Sequence, residues 1–257
     1  MMFDTHIHTK FSSDSKMKIE DAIKCAKNKN ISMIITEHMD LKFPKDGMFC
    51  FDVAEYFKEY YKYRADDLLL GVEIGMKEDC VEESGKVIKN NPFDYIIGSV
   101  HLVNNLDIYY EEYYKGKSKK EAYEKYFISM LEAIKNYDFI DSMGHIDYIS
   151  RYAKYEDKEI YYEEYSDIID EILKVLIRTD KCIELNTRRL NNENAVKNII
   201  PIYKRFKELG GNNITIGSDA HNIEAIGSNF NVAKDIAELC KLRIVYFKNR
   251  KRKYDKY

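Results

Sequence analysis

Short apolar segments rich in β-branched residues alternate along this chain with longer segments of helical periodicity. Seven of the short apolar segments are predicted strands, with the sequences MFDTHIH, ISMIITEH, LLLGVEIG, YIIGSVH, FIDSMGH, KCIELNT and NITIGSDAH. Between them, residues 117–137 and 161–177 repeat apolar side chains at a helical spacing. Strands that alternate with helices build a mostly parallel sheet. The pattern predicts an α/β fold. Seven units in about 220 residues favour a single barrel, with an open doubly wound sheet as the alternative.

All six histidines lie at or just beyond the end of a predicted strand. His6 and His8 are two residues apart in the first strand, so their side chains share one face and can chelate one metal ion. The other four follow later strands: His38, His101, His145 and His221. A single histidine at a strand end is more often a packing residue than a ligand. Unrelated histidines would also populate helices and loops, however, and none does here. The joint pattern predicts a metal centre at the end of the barrel where such folds place their chemistry.

Three carboxylates accompany these histidines, namely Asp14, Glu73 and Asp219. Carboxylate oxygens are the hard ligands that multinuclear hydrolytic sites mix with imidazole, and such mixed sites accept Zn, Mn or Fe. Six histidines and three carboxylates are too many ligands for one tetrahedral ion. They predict two or three divalent ions that share a bridging carboxylate.

The ordered series FDTHIHTKFSSDS, ITEH, GVEIG, IGSVH, MGHIDYISR, IELNTRR and IGSDAH resembles the motifs of the PHP (polymerase and histidinol phosphatase) superfamily. It is most similar to the monofunctional histidinol-phosphate phosphatases of that group, from about residue 1 to about residue 240. The resemblance implies a distorted (β/α)7 TIM-like barrel. It also implies a trinuclear metal centre at the C-terminal ends of the strands.

The resemblance further implies which side chains hold each ion. The expected ligands are His6, His8, Glu73 and Asp219 for the first ion, Glu73, His101 and His145 for the second, and Asp14, His38 and His221 for the third. The chain departs from the motif pattern at none of these positions. Glu73, Asp219 and His221 are expected to act in catalysis as well as in metal binding.

Two arginines are predicted to bind the substrate phosphate, Arg151 and Arg188, because a planar guanidinium can hold two phosphate oxygens at once. The resemblance supports both positions. Arg189 is adjacent to Arg188, so the two cannot both point inward, and a surface role is the alternative. The tyrosine-rich residues 107–117 form either a lid over the substrate or the start of the next helix. Acidic residues there could bind a substrate ammonium group.

Two further acidic residues lie beside predicted ligands. Asp4 shares the strand parity of His6 and is expected to orient an imidazole ring. Glu37 precedes His38 and points the opposite way in a regular strand, so we expect it to support ligands rather than to bind metal.

These features predict a metal-dependent phosphate monoester hydrolase. The resemblance implies that its substrate is L-histidinol phosphate and that its products, L-histidinol and phosphate, belong to histidine biosynthesis. One alternative is another PHP phosphoesterase that acts on nucleotides, oligonucleotide ends or phosphotyrosine. A second is a non-catalytic metal-binding regulatory domain, although the complete ligand set disfavours it.

Composition limits the kinds of partner and the cellular compartment that we expect for this chain. The net charge of −3 gives no support for nucleic-acid binding, and the expected partner is a small phosphorylated substrate. No signal-peptide pattern is visible, and no apolar run approaches the ~20 residues of a membrane span. Five cysteines without a Cys-x-x-Cys pair indicate reduced packing residues in a cytoplasmic protein. Residues 1–257 are predicted to form a single domain, in which the basic residues 248–257 make a solvated C-terminal tail.

Overall fold

The computed structural model describes residues 2–254, which form a predominantly parallel sheet. The strands are β1 (Met2–Ile7), β2 (Ile31–Met39), β3 (Leu68–Gly75), β4 (Ile96–Ser99), β5 (Leu102–Val103), β6 (Leu106–Asp107), β7 (Ser142–Met143), β8 (Cys182–Asn186), β9 (Asn213–Gly217), β10 (Arg243–Lys248) and β11 (Lys251–Tyr254). The seven predicted strands are all present, as β1, β2, β3, β4, β7, β8 and β9.

Helices connect these strands. They are α1 (Ile19–Lys29), α2 (Val53–Tyr60), α3 (Val81–Lys89), α4 (Glu111–Tyr114), α5 (Lys119–Asn136), α6 (Tyr148–Tyr152), α7 (Ser166–Arg178), α8 (Glu193–Glu208) and α9 (Phe230–Leu239). The two helices predicted from periodicity are α5 and α7. A capping box begins α5, in which the Ser118 hydroxyl accepts the Glu121 amide and the Glu121 carboxylate accepts the Ser118 amide.

The seven predicted strands are paired in the order β1-β2-β3-β4-β7-β8-β9, and all the pairs are parallel. A doubly wound sheet would reverse its order at a switch point, and no reversal occurs here. The last strand returns beside the first through a parallel bridge between Ile7 and Ala220, where the His8 amide donates to the Ala220 carbonyl at 2.9 Å. This sequential ring is the distorted (β/α)7 arrangement, and it brings the C-terminal ends of all seven strands to one rim.

A hairpin made of β10 and β11 covers the opposite end of the barrel. β10 runs parallel to β9 at Arg243 and Ile244, and β11 pairs antiparallel with β10. Two inward side chains of β10, Val245 and Phe247, are buried in a cluster with side chains from the barrel interior. The other members of that cluster are Phe3, Ile34, Leu69, Tyr95, Ile97 and Cys182.

The structure corrects the prediction of a solvated basic tail for residues 248–254. The hairpin turn binds the barrel through Asp94, whose carboxylate accepts the Asn249 amide at 2.8 Å and whose carbonyl accepts the Arg250 amide at 2.9 Å. The Arg250 guanidinium donates to Asp141 at 2.6 Å. The positive charge of Arg250 thus pairs with a carboxylate just before β7, a partner that a reading of local charge could not locate. Residues 255–257 lie outside the described part of the chain.

Within residues 2–254, no helix combines the length and the apolar character needed to span a bilayer. All five cysteines fall in this range and are free thiols. Cys80, Cys182 and Cys240 are buried, and Cys25 and Cys50 are partly exposed.

Candidate metal centre

The nine side chains predicted as metal ligands all lie at the C-terminal rim of the barrel. Seven of them are buried: His6, His8, His38, Glu73, His101, His145 and Asp219. His221 is partly exposed and Asp14 is exposed, with 37% of its side-chain surface accessible. Because the parallel strands end at one rim, residues from six separate segments of the chain meet in one cluster. The nine side chains form a first group (His6, His8, Glu73, Asp219), a second group that shares Glu73 (Glu73, His101, His145) and a third group (Asp14, His38, His221).

The first group directs four ligand atoms at one small space. The Nε2 atom of His6 lies 3.3 Å from Glu73 Oε2 and 3.8 Å from Asp219 Oδ1. The Nε2 atom of His8 lies 3.5 Å and 3.4 Å from the same two oxygens. A tetrahedral ion with ligands at about 2.0–2.1 Å keeps its ligand atoms about 3.3–3.4 Å apart. The four atoms are therefore spaced as one such ion requires.

Glu73 presents its other oxygen to the second group. Glu73 Oε1 lies 3.0 Å from Nε2 of His145 and 3.3 Å from Nε2 of His101. The two oxygens of one carboxylate thus face two different pairs of histidines. This is the placement expected of a carboxylate that bridges two ions.

The third group repeats the tetrahedral spacing nearer the solvent. Asp14 Oδ2 lies 3.1 Å from Nε2 of His221 and 3.6 Å from Nε2 of His38, and the two nitrogens are 3.4 Å apart. The Nδ1 atom of His38 is also 2.9 Å from Glu73 Oε2. His38 therefore lies between the first and third groups.

Several of these ligand atoms are buried and have no hydrogen-bond partner. They are Nε2 of His6, His8 and His101, and Oε2 of Glu73, whose short contacts with neighbouring ligand atoms lack hydrogen-bond geometry. An unsatisfied buried polar atom costs about 1–3 kcal/mol, so four at one place call for a compensating partner. Divalent cations would satisfy all four, and a mixed set of imidazole and carboxylate donors suits Zn, Mn or Fe. The residues present therefore fit metal ions.

The opposite nitrogens of the same rings are held by acceptors of the protein. The Nδ1 atom of His6 lies 2.6 Å from Glu184 Oε1, that of His8 lies 3.0 Å from Ser12 Oγ, and that of His101 lies 2.8 Å from Asp40 Oδ1. When Nδ1 carries the proton, the lone pair of Nε2 points toward the ion space. These contacts prepare the rings for metal binding.

Nothing in the motifs pointed to Ser12, Asp40 or Glu184 as supporting residues. The signal that could have identified Asp40 is its position two residues after His38, which gives it the same strand parity. Glu184 is a fully buried charged residue within β8, an expensive placement that indicates a partner in the barrel interior. Ser12 lies on a loop whose path the sequence does not reveal.

The structure corrects the role expected of Asp4. Its carboxylate accepts the amide and the hydroxyl of Ser218 at 2.9 Å and 2.6 Å and the Gly227 amide at 2.9 Å, and it touches no imidazole. Asp4 thereby holds the segment that carries Asp219, whose backbone adopts a left-handed φ of 53°. Glu37 does support a ligand, because it accepts the hydroxyl of Ser12, the partner of His8, at 2.6 Å.

The charges of the rim shift the pKa values of its own side chains. Burial alone would lower the pKa of His6 and His38, but the carboxylates of Glu184 and Glu73 outweigh it. The pKa of His6 is raised well above its usual range, and that of His38 is raised to about 10. Burial alone would raise the pKa of Glu73, but His6 and His101 hold it well below the ordinary value. The rim is therefore built to attract positive charge.

The arginines predicted near the phosphate occupy different environments. Arg151 is nearly buried and donates to Asp219 Oδ2 at 2.5 Å and to Asn186 at 3.1 Å. Arg188 is 42% exposed, and its guanidinium lies 3.6 Å from Asp219 Oδ2. Arg189 turns away and binds Glu159 at 2.6 Å and Asp147 at 3.4 Å. Of the adjacent pair, only Arg188 faces the metal centre.

A cavity of about 270 Å³ opens beside the metal centre. Its floor contains Asp14, His38, Asp40 and His101, and its walls are formed by Phe43, Met48, Phe49, Asp107, Tyr109, Tyr110, Tyr148 and Tyr152. The tyrosine-rich residues 107–117 divide between two roles. Asp107, Tyr109 and Tyr110 line the cavity, whereas Tyr113 and Tyr114 belong to α4 and are buried in the core. Burial raises the pKa of Asp107 above its ordinary value.

Comparisons with known proteins agree with this geometry. The family model of the PHP domain matches residues 4–188. The chain is 53% identical over 254 residues to a protein of Clostridium acetobutylicum named "Probable histidinol-phosphatase", covering 99% of this chain and all of that protein. It is 34% identical over 226 residues to the histidinol-phosphatase of Lactococcus lactis, covering 85% of this chain and 83% of that protein.

A solved structure extends the comparison to three dimensions. The crystal structure of histidinol phosphate phosphatase from Lactococcus lactis, complexed with zinc, L-histidinol and phosphate, superposes with a TM-score of 0.93. The match covers 98% of this chain and all of that chain at 30% identity. A family model that spans most of the chain, and relatives that align along nearly its full length, show that this chain belongs to the PHP domain family.

Proposed function

We propose that this protein is a metal-dependent phosphate monoester hydrolase that converts L-histidinol phosphate and water into L-histidinol and phosphate. The observation that carries the proposal is the convergence of all nine predicted ligands at one rim, with Glu73 shared between two groups. The histidinol phosphatase of Lactococcus lactis, which has the same fold, binds zinc, L-histidinol and phosphate. The fold, the donor set and the relatives support the same reaction.

The proposal assigns one divalent ion to each of the three groups, with zinc, manganese or iron as candidates. When bound, such ions lower the pKa of coordinated water and offset the negative charge that develops on phosphoryl oxygens. The carboxylates of Glu73 and Asp219 hold their oxygens at fixed distances from the imidazole nitrogens of the first group. His221 lies at the partly exposed side of the rim, and we assign it a catalytic part together with Glu73 and Asp219.

We assign the binding of the substrate phosphate to Arg151 and Arg188. The Arg151 guanidinium is fixed by Asp219 and Asn186, so it offers a pre-positioned positive charge at the edge of the first group. Arg188 is half-exposed, and its planar guanidinium can present two donors to phosphate oxygens. Both arginines lie beside Asp219, so they place the phosphate next to the ions.

The aromatic cavity supplies the site that we propose for the remainder of the substrate. L-Histidinol carries an imidazole ring and an ammonium group. The rings of Phe49, Tyr148 and Tyr152 offer stacking surfaces for the former. Asp107 offers a carboxylate to the latter and is the one acidic wall residue of the cavity. The Asp107 carboxylate accepts the Tyr109 amide at 2.8 Å, which fixes its position.

The same features define the proposed partners and compartment. A net charge of −3 favours a small phosphorylated substrate over a nucleic acid. Five free cysteines favour a reducing compartment, so we propose that the enzyme works in the cytoplasm, in histidine biosynthesis.

A phosphate-release assay on protein loaded with zinc, manganese or iron tests the proposal. Histidinol phosphate is compared with nucleoside monophosphates and phosphotyrosine, and His6→Ala serves as the metal-site control. We expect kcat/KM for histidinol phosphate to exceed the other values by at least about 100-fold, which corresponds to ~2.7 kcal/mol of discrimination. A preference for nucleotides or phosphotyrosine would favour another PHP phosphoesterase. Full metal content without hydrolysis of any substrate would favour a non-catalytic domain.

A further inference from the structure

We propose that Ser12 and Glu37 are positioning residues that connect a ligand of the first metal group to a ligand of the third. The inference rests on the metal centre of the proposed function, but it concerns residues that lie behind the ligands. Ser12 lies on the loop after β1, between His8 of the first group and Asp14 of the third. Its side chain is buried, at 1% exposure, so its hydrogen bonds are not shared with solvent.

The Ser12 hydroxyl makes three contacts, with the side chain of Glu37, the main chain of His38 and the ring of His8. It donates to Glu37 Oε2 at 2.6 Å, accepts the backbone amide of His38 at 3.0 Å, and lies 3.0 Å from Nδ1 of His8. A hydroxyl has one proton to donate and two lone pairs, so these three contacts use its full capacity. One atom thus contacts a ring of the first group and the main chain of a ligand of the third.

The hydrogen bonds of Glu37 determine which atom is the donor in the contacts of Ser12. Its two oxygens accept the Thr9 amide at 3.0 Å and 3.1 Å, and one of them also accepts the Thr9 hydroxyl. The Tyr60 hydroxyl, 2.8 Å from Thr9 Oγ1, completes this buried chain. With Glu37 as the acceptor, the single proton of Ser12 is committed to the carboxylate. The contact between Ser12 and His8 can then be made only by a proton on His8 Nδ1.

The tautomer of His8 is the consequence that matters for the metal centre. A proton on Nδ1 leaves the lone pair on Nε2, the atom that faces Glu73 and Asp219. Without Ser12, the His8 N–H and the His38 amide would both lose a buried partner. Loss of such an outer contact typically weakens metal binding by about 10–100-fold. Because Ser12 contacts residues of both groups, we expect its removal to weaken the binding of the ions of the first and third groups.

The experiment measures zinc affinity in the absence of substrate, by chelator competition, for Ser12→Ala, Glu37→Gln and the double variant. The matched control is Ser13→Ala, whose hydroxyl lies on the exposed side of the same loop and accepts the Phe49 amide at 3.1 Å. We expect each single variant to bind zinc about 10–100-fold more weakly and the control to bind as the wild type does. We expect the double variant to resemble Ser12→Ala, because residues of one relay act non-additively.

Imidazole nitrogen NMR of the zinc-free protein provides a second readout that a purely structural role would not change. The His8 signal should report a proton on Nδ1 in the wild type and in Ser13→Ala, and a mixture of tautomers in Ser12→Ala. Lower thermal stability with unchanged zinc affinity and an unchanged His8 tautomer would reduce Ser12 to a structural residue and overturn the inference.

The two proposals fail in distinguishable ways. If the wild type binds zinc in a Ser12-dependent manner but releases no phosphate from histidinol phosphate, the proposed function fails and the positioning role stands. If the wild type hydrolyses histidinol phosphate and both single variants retain its zinc affinity, the positioning role fails and the proposed function stands.

Discussion

The Oε1 oxygen of Glu73 lies 3.0 Å from Nε2 of His145, while its Oε2 oxygen faces the first group instead. Replacing Glu73 by Gln keeps the shape of the side chain but turns one of these oxygens into an amide donor, which cannot bind a cation. We expect Glu73→Gln to lose at least one ion per chain and to lower kcat by more than about 100-fold, since even outer contacts of a metal site are worth 10–100-fold.

Metal analysis of the purified variant, combined with steady-state kinetics, checks this prediction. The control is Glu78→Gln, which removes the same charge from an exposed position shortly after β3. A Glu73→Gln protein with full metal content and normal turnover would show that Glu73 does not bridge the two groups.

The adjacent arginines provide a matched pair for phosphate binding. Arg188 faces Asp219, whereas Arg189 is held by Glu159 and Asp147. Charge-assisted hydrogen bonds are worth about 1.5–3 kcal/mol, so Arg188→Ala should lower kcat/KM by about 10–100-fold. Arg189→Ala should instead lower the free energy of unfolding and leave kcat/KM near that of the wild type. Equal kinetic losses in the two variants would remove Arg188 from the phosphate site.

Asp107 offers a test of substrate selection. If its carboxylate binds the ammonium of histidinol phosphate, Asp107→Asn should raise KM for that substrate by about tenfold, the value of one charged hydrogen bond. Turnover of p-nitrophenyl phosphate, which has no ammonium group, should be unchanged. Glu112→Gln, an exposed acidic position in α4, is the control. A parallel loss with both substrates would assign Asp107 to the metal centre rather than to selectivity.

Zinc affinity should depend steeply on pH. The pKa of His38 is raised to about 10, against the pull of burial, chiefly by the negative charge of Glu73. In the metal-free protein at neutral pH, His38 therefore carries a proton that a cation must displace. Affinity then falls as the pH falls, by about tenfold per pH unit for each proton released. Chelator competition at about pH 6.5 and about pH 8.5 measures the slope, and a pH-independent affinity would contradict this account of the rim.

The convergence of the predicted ligands at one rim could be anticipated from the sequence because their positions follow from local rules, whereas their assignment to particular ions came from the resemblance to the PHP superfamily. Residues two apart in a strand share a face, and parallel strands end at one rim, so His6, His8 and Asp219 needed no knowledge of distant contacts. Ser12 and Glu184 were missed because their partners lie on other segments of the chain, at distances that only the folded barrel fixes. The hairpin of β10 and β11 was missed for a related reason. Arg250 looks solvated until the carboxylate of Asp141 is placed beside its guanidinium, and the turn looks free until Asp94 accepts the backbone amide of Asn249.

That hairpin leads to a prediction about stability at the end of the barrel away from the metal centre. Phe247 is 5% exposed, and its ring stacks on that of Tyr95 with centroids 5.3 Å apart and planes 17° apart. Truncation of a buried Phe typically costs about 3–5 kcal/mol, so Phe247→Ala should lower the free energy of unfolding by that amount. The control is Tyr254→Ala on the outer strand, which is 54% exposed and should change stability by less than about 0.5 kcal/mol.

Denaturant unfolding in the presence of chelator isolates the effect of Phe247→Ala on stability from any effect of metal binding. Because Phe247 lies opposite the rim, metal content of the folded variant should be unchanged. If the two variants unfold at the same denaturant concentration, the hairpin does not close the barrel in solution, and residues 248–254 behave as the solvated tail that their charge alone suggests.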